Sequence, residues 1–468
     1  MPPSTPGATS AARWGKTMPH IQNADDLTNH GDARLRRMAL DIIEHALAAA
    51  DPYHAAMRLI HLEGETLHIG ALALDLRRFE RVLVIGAGKA TAPIATALES
   101  ILGERISGGL VVLKHGYPAQ LAHIEVVHGA HPLPDTHGHA GAQRMFDLVG
   151  TCTQKDLVIA AITGGSSALL PLPVAGVSLA DKQRINELLL LSGADITQIN
   201  AVRKHLSRIK GGWLAQRVLP ATLVNLTVSD VIGDPLDYIT DPTVADTSTF
   251  EDARDVLDEF DLWDKLPPAA AAYLREGGAE QETPKSFEGQ PLHTFILVPG
   301  VVACQAAVQR SRELGFEPML LTTMLKGEAR DSGGFFAAIG REIAHSGQPM
   351  QPPCAIIAGG ENTVTIKDGK RGMGGPNQEF ALSAAREISG LPGLLVASLD
   401  TDGTDGPTHL AGGMVDHATL ETAERLGINV DICLRDHDTL EALERLGDAV
   451  VTGHTGTNIN DLKLLLAA

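Results

Sequence analysis

The stretch Arg81–Leu102, RVLVIGAGKATAPIATALESIL, decides the fold. Arg81 to Ile85 is an apolar, β-branched run of strand length. The glycine turn Gly86-Ala87-Gly88-Lys89 follows, then a helical pattern from about Ala90 to Leu102. A buried strand, a glycine turn and a helix make a βα unit. Outward from it the same rhythm repeats. Gly108 to Leu113, Ile124 to His128, Asp156 to Ile162 and Leu223 to Val228 read as strands, with helical patterns between them. Strands alternating with helices predict an α/β protein with a parallel sheet. A Pro-, Gly-, Ala- and Glu-rich stretch from about Pro267 to Gln290 marks a boundary. Beyond it strands are expected at Leu292–Val298, Pro318–Thr322, Ala355–Ala358, Leu394–Ser398 and Ala449–Thr452, with a helix opening near Asp461. Leu394–Ser398 reads as a buried parallel strand. The expected division is a disordered extension over 1–32, a large domain over 33–275 and a second α/β domain over 290–468.

The chain has 468 residues and a net charge of -19, with 44% hydrophobic and 20% charged residues. That is the composition of a globular protein with a sizeable core. The acidic balance argues against nonspecific nucleic-acid binding. The four cysteines, Cys152, Cys304, Cys354 and Cys433, match no zinc spacing. Free thiols and a cytoplasmic location are expected. No apolar run approaches a membrane span, and the N-terminus lacks a signal-peptide core.

Chemistry-bearing residues gather where strands end, and in open α/β sheets that is where ligands bind. Gly86-Ala87-Gly88-Lys89 places an ammonium at a strand-to-helix turn, although the full dinucleotide fingerprint fails. The position of its third glycine holds Thr91, and the next strand ends in Leu113-Lys114-His115 without a carboxylate. Thr163-Gly164-Gly165-Ser166-Ser167 is either an anion nest or a helix cap. Asn200–Gly212, NAVRKHLSRIKGG, carries Arg203, Lys204, His205, Arg208 and Lys210, which cannot all share one helix face. Arg203 is suited to a substrate carboxylate. Asp230 follows a buried strand directly, as a general base or Mg²⁺ ligand would. Gly360-Glu361 and the cation-studded Lys367–Gly375 loop suit phosphate. Asp400, Asp402 and Asp405, interleaved with glycines and threonines after Leu394–Ser398, suit a metal-phosphate group. The last such loop, GHTGTNIND, spans Gly453–Asp461.

The ordered set VLVIGAGKA, HPLPD, ITGGSSALL, NAVRKHLSRIKGG, SDVIGDP, GGENTVTI, GGPNQEFAL, DTDGTDGPT and GHTGTNINDL, running from Val82 to Leu462, resembles the class II glycerate kinases with a C-terminal MOFRL domain. The resemblance covers about Ala33 to Leu465. It implies two Rossmann-like parallel-sheet domains with the active site in the interdomain cleft. It also implies phosphorylation of D-glycerate by ATP, at the 2-hydroxyl, with Mg²⁺. Lys89 matches the family's lysine at the reacting centre. On this reading Lys89, Asp230 and Arg371 are catalytic, and Ser166, Ser167, Arg203 and His131 bind the substrate. Gly86, Gly88, Gly164, Gly165, Gly360, Glu361, Asn377 and Asn458 face the nucleotide, and Asp402 and Asp405 hold the metal. The expected partner is a small hydroxy acid, with no nucleic acid and no membrane, and a homodimer is left open. The family loop reads GGRNQE where this chain has Gly374-Gly375-Pro376-Asn377-Gln378-Glu379; either Arg371, five residues earlier, substitutes for the missing arginine, or that role is absent. The rival reading is an NAD(P)H-dependent hydroxypyruvate reductase, a label many family members carry.

Overall fold

Fifteen described strands fall into three sheets. The computed structural model describes residues 19–468 apart from 118, 232, 234, 240 and 367–371. Contacts divide the chain into two units. One comprises Pro52–Ser229 and Pro235–Leu297, and the other residues 19–51, Asp230–Asp234 and Val298–Ala468.

The first unit opens with a small antiparallel sheet, β1 (Ile60–Glu63), β2 (Thr66–Ile69) and β3 (Leu72–Asp75). Its main sheet contains β4 (Arg81–Ala87), β5 (Gly108–Lys114), β6 (Glu125–Gly129), β7 (Asp156–Ile162), β8 (Thr222–Val228) and β9 (Leu292–Val298), in the order β6-β5-β4-β7-β8-β9. The pairings β6–β5, β5–β4, β4–β7 and β7–β8 are all parallel. Every residue of β7 is buried, and six of the seven of β4. That is why both read as unbroken apolar runs rather than alternating ones. Register is fixed at the amino end by Arg81, whose Nε and Nη2 donate to Asp156 Oδ1 and Oδ2 at 2.8 Å each. The carboxyl ends of β4 and β7 lie side by side, Ala87 opposite Ile162.

The second unit departs from an all-parallel sheet. It holds β10 (Glu317–Leu325), β11 (Cys354–Gly360), β12 (Leu394–Asp400), β13 (Gly412–Asp416), β14 (Ala449–Val450) and β15 (Asp461–Ala467), in the order β10-β11-β15-β12-β13-β14. Only β10–β11 is parallel; β15 runs antiparallel between β11 and β12, and β12 is antiparallel to β13. Two expectations are corrected here. Leu394–Ser398 lies in an antiparallel strand, and Asp461 opens a strand rather than a helix. All seven residues of β15 are buried. A short run with both faces covered has no period to tell strand from helix. Against this sheet packs the helix Pro376–Ile388, with Phe380, Leu382 and Ile388 fully buried.

The N-terminal expectation also changes over 19–32. Ile21 and Leu27 are buried, Gln22 N donates to Val451 O at 2.7 Å, and Ala24–Thr28 is helical. Two apolar side chains and the carboxylate of Glu44, which accepts from His20 N and Ile21 N, hold a segment whose polar composition suggests disorder. Helix Ala33–Ala49 groups with the second unit, not with the residues that follow it in the chain. Among the described residues no helix is long and apolar enough to cross a membrane.

Candidate functional site

The turn after β4 is built by close approach to β7. A Cβ on Gly86 would sit 2.7 Å from Ala161 O, and one on Gly88, at φ +133°, 2.2 Å from Thr163 Oγ1. Packing against β7 therefore accounts for both glycines. Thr163 Oγ1 accepts from Ala90 N at 3.1 Å, and Lys89 N donates to Gly164 O at 2.9 Å. The two expected loops are thus one structure. Gly165, at φ +87°, precedes the short helix Ser166–Leu169. The site of its missing Cβ lies 3.3 Å from His131 Cδ2 and Nε2 and 3.4 Å from Lys89 Cγ. Lys89, His131, Gly164, Gly165 and Ser166 are therefore brought together at the carboxyl ends of parallel strands. Ser166 is buried and Ser167 half-buried.

The basic stretch Asn200–Gly212 sorts into paired and unpaired cations. Lys204 Nζ is 2.9 Å from Asp246 Oδ1, and His205 Nε2 is 2.7 Å from Glu282 Oε1. Both pairs are internal. Arg203 Nε donates instead to the neutral Asn186 Oδ1 at 2.9 Å. Asn186 lies one turn beyond Lys182 on the helix Leu179–Ser192. Lys210 Nζ is buried, and among the described residues its one carboxylate within 4 Å, Asp241, stays at 3.8 Å, too far for a hydrogen bond. Lys182 is only 5% exposed and has no carboxylate within 4 Å among the described residues. Burial, then Lys210 and Arg203, push the Lys182 ammonium down to about 7. Burial likewise lowers Lys210 and raises Asp241. Among the described residues Asp241 is the acid that offsets Lys182, Arg203 and Lys210, so an anion bound there would stabilise their charged forms. Gln183 Nε2 donates to Pro134 O at 2.7 Å, tying this helix to the loop that carries His131. Lys182 was missed from sequence, and Lys210, named in the basic stretch, was given no role there. The signal that existed was the four-residue spacing of Lys182 and Asn186 on one helix face.

In the second unit several assignments change character. Asp405 is buried, and both its oxygens are filled. Oδ1 accepts from Asn377 N and Nδ2 at 3.1 and 3.2 Å, and Oδ2 from Gln378 N and Nε2 at 2.9 and 3.0 Å. It caps the helix Pro376–Ile388, whose own N-cap residue, Gly375, has no side chain to do so. Burial raises the Asp405 carboxyl to about 7, against the pull of those donors. Asn377 is equally committed, donating to Asp461 Oδ1 at 2.9 Å and accepting from Ser398 Oγ at 2.5 Å. Asp405 and Asn377, expected at the metal and the nucleotide, are thus engaged in internal hydrogen bonds. Pro376 occupies the first turn of the helix, where proline is favoured. Asp402 is also buried, and its Oδ1 accepts from Thr404 N and Oγ1 at 2.7 Å each. Asp230 Oδ2 accepts from Asn458 Nδ2 at 2.7 Å, which joins two of the expected residues. Gly360 ends β11, and the exposed Glu361 donates its N–H to Leu325 O at 2.9 Å. Arg371 lies outside the described residues.

Comparison with known proteins agrees with this architecture. A family model described as a domain of unknown function, DUF4147, matches residues 38–275, and the MOFRL family model matches residues 354–461. Glycerate 2-kinase of Pyrococcus horikoshii is 41% identical over 92% of this chain and 97% of its own. D-glycerate 2-kinase of Thermotoga maritima is 39% identical over 92% and 97%. A protein of Agrobacterium vitis named putative hydroxypyruvate reductase is 40% identical over 82% and 99%. Among solved structures, a glycerate kinase of Thermotoga maritima superposes with a TM-score of 0.79 at 36% identity, covering 93% of this chain and all of that one. The chain belongs to the glycerate 2-kinase family with a C-terminal MOFRL domain.

Proposed function

We propose that this protein transfers the γ-phosphoryl group of ATP to the 2-hydroxyl of D-glycerate. The observation that carries the reading is the Lys89–His131–Gly165 cluster at the carboxyl ends of β4 and β7. Phosphoryl transfer requires positioning and charge neutralisation rather than covalent chemistry. Lys89 supplies a cation for the transferring group. The backbone of Gly164-Gly165 and the hydroxyls of Ser166 and Ser167 face the same anion. The glycerate carboxylate sits on Arg203, supported by Lys182 and Lys210. Asp230 orients the substrate hydroxyl and is itself held by Asn458. On the nucleotide side we retain Gly360, Glu361 and Asn458. Mg²⁺ bound with the nucleotide offsets phosphate charge. Asp402 is retained as its candidate ligand, whereas Asp405 does not fit, because four N–H donors fill its oxygens.

Incubation with ATP, Mg²⁺ and D-glycerate, followed by ³¹P NMR, tests the reading. The expected product is 2-phosphoglycerate; 3-phosphoglycerate refutes the position, and no phosphoglycerate refutes the activity. The reductase reading has support in the naming of the Agrobacterium vitis relative. Against it, β5 ends at Lys114 with no acid to take a ribose hydroxyl, and Gly86 and Gly88 are accounted for by packing. It requires NAD(P)H oxidation at 340 nm on adding hydroxypyruvate alone; we expect none.

A further inference from the structure

Among the described residues, one group of three metal-ligating side chains has its donor atoms within 4.8 Å of one another: His115, Asp135 and His137. None of the three has a part in the proposed phosphoryl transfer. His115 Nε2 stands 3.1 Å and His137 Nδ1 3.4 Å from the same oxygen, Asp135 Oδ2. A tetrahedral ion with ligand bonds of about 2.0–2.1 Å spaces its ligands by roughly 3.3 Å. The two separations bracket that value, and the two imidazole nitrogens lie within 4.8 Å of each other, so rotation of the exposed imidazoles brings all three donors onto an ion.

The framework holds the donors in place. Asp135 is the N-cap of the helix Thr136–Val149, and its Oδ1 accepts from Gly138 N at 2.8 Å. That fixes the carboxylate and leaves Oδ2 facing both imidazoles. His115 is anchored one residue past β5 by its N–H to Gly129 O at 2.9 Å. The side chains of His115 and His137 are 53% and 73% exposed, so an ion can reach them from solvent and water can complete its shell. Two imidazoles and a carboxylate suit zinc, cobalt or nickel rather than Mg²⁺, which prefers oxygen.

We propose that His115, Asp135 and His137 form a site for a divalent transition-metal ion. This ion is separate from the Mg²⁺ that accompanies a nucleotide. It pins the carboxyl end of the loop His131–Asp135, whose first residue lies against Gly165 beside Lys89. The site stands independently of the reaction, so its test needs no turnover.

The test is titration of the untagged, metal-stripped full-length protein with Co²⁺, followed by visible absorption, and with Zn²⁺, followed by calorimetry. The comparison is H115A/H137A, in which both side chains replaced are exposed. Wild type is expected to bind one equivalent with the visible bands of a nitrogen-ligated cobalt. The double variant should lose more affinity than the roughly 10–100-fold that removal of an outer-sphere partner costs. Zn²⁺ should raise the melting temperature of wild type and leave that of the variant unchanged. Equal affinity in the two proteins overturns the proposal by placing the ion on other histidines. No binding by wild type at millimolar Co²⁺ overturns it outright.

Discussion

Lys89 is half-buried, and its backbone N–H is held by Gly164 O. Truncating the side chain therefore leaves the turn intact. Lys89→Ala should lower kcat about 10²–10³-fold, the range seen when one charge-stabilising donor is lost. Stability should stay within about 0.5 kcal/mol, as for substitutions away from the core. Steady-state kinetics with a parallel thermal melt check this, and near wild-type turnover sinks the assignment. Lys182 makes the second residue-scale prediction. Its ammonium, pushed down to about 7 from the usual 10.5, is fully charged only below neutrality. An anion bound there is held best below pH 7 and progressively less above it. KM for D-glycerate should therefore rise with pH from about 7 upward, and Lys182→Met should raise KM and flatten that dependence. Linkage in the ligand-free protein runs the other way. Between 7 and 10.5 the unfolded chain binds more protons at this lysine than the folded one, so its contribution to stability grows with pH across that window. A KM independent of pH in wild type removes Lys182 from the anion site.

At the scale of elements, strand β15 is the least local feature of the fold. It is the last segment of the chain, yet it lies between β11 and β12 and pairs with both along its whole length. Leu465 is fully buried within it. Leu465→Ala should cost about 2–5 kcal/mol, the usual range for emptying a buried leucine site. Chemical denaturation of the full chain measures this, and a loss below about 1 kcal/mol would show that the strand is not a core element. The same strand shows where sequence stops being informative. Arg81–Ala87 was legible because a β-branched run, a glycine turn and a helical pattern follow each other within one local unit. Asp461–Ala467 was not, because a central strand covered on both faces carries no alternation. The site divides the same way. Lys89, Gly164 and Gly165 stand at strand ends that the glycine-rich turns announce. Lys182 stands in the first turn of a helix among Asp181, Gln183 and Arg184, where a charged residue normally faces water. Its burial is imposed by packing that no local pattern reports. Asp405 and Asn377 show the opposite case. Acid and amide groups near glycines look like ligand contacts, yet here they satisfy the amides of a helix whose N-cap has no side chain.

At the scale of the whole molecule, chain order and folding unit do not coincide. Helix Ala33–Ala49 belongs with a unit whose remaining strands begin more than 250 residues later. The fastening is ionic and buried. Arg36 has no exposed surface; its Nε lies 2.6 Å from Asp416 Oδ2 and its Nη2 2.8 Å from Asp448 Oδ1. Both aspartates are buried as well. A second, more exposed pair joins Asp41 to Arg310 through two hydrogen bonds, at 2.9 and 2.8 Å. Removing one partner of a buried ion pair leaves charge in a poorly solvating interior, which typically costs about 3–5 kcal/mol. Here two carboxylates lose the same guanidinium. Arg36→Met should therefore destabilise the second unit by at least that range, whereas disrupting the exposed pair with Asp41→Ala should cost far less. The sharper test is a fragment. Residues 298–468 alone contain every strand of the β10–β14 and β15 sheet but neither Arg36 nor its helix. They should fail to give a cooperative melt, and a fragment extended with residues 19–51 through a flexible linker should recover one. A cooperative transition in the short fragment would mean that the N-terminal helix is an accessory to this unit rather than part of its core.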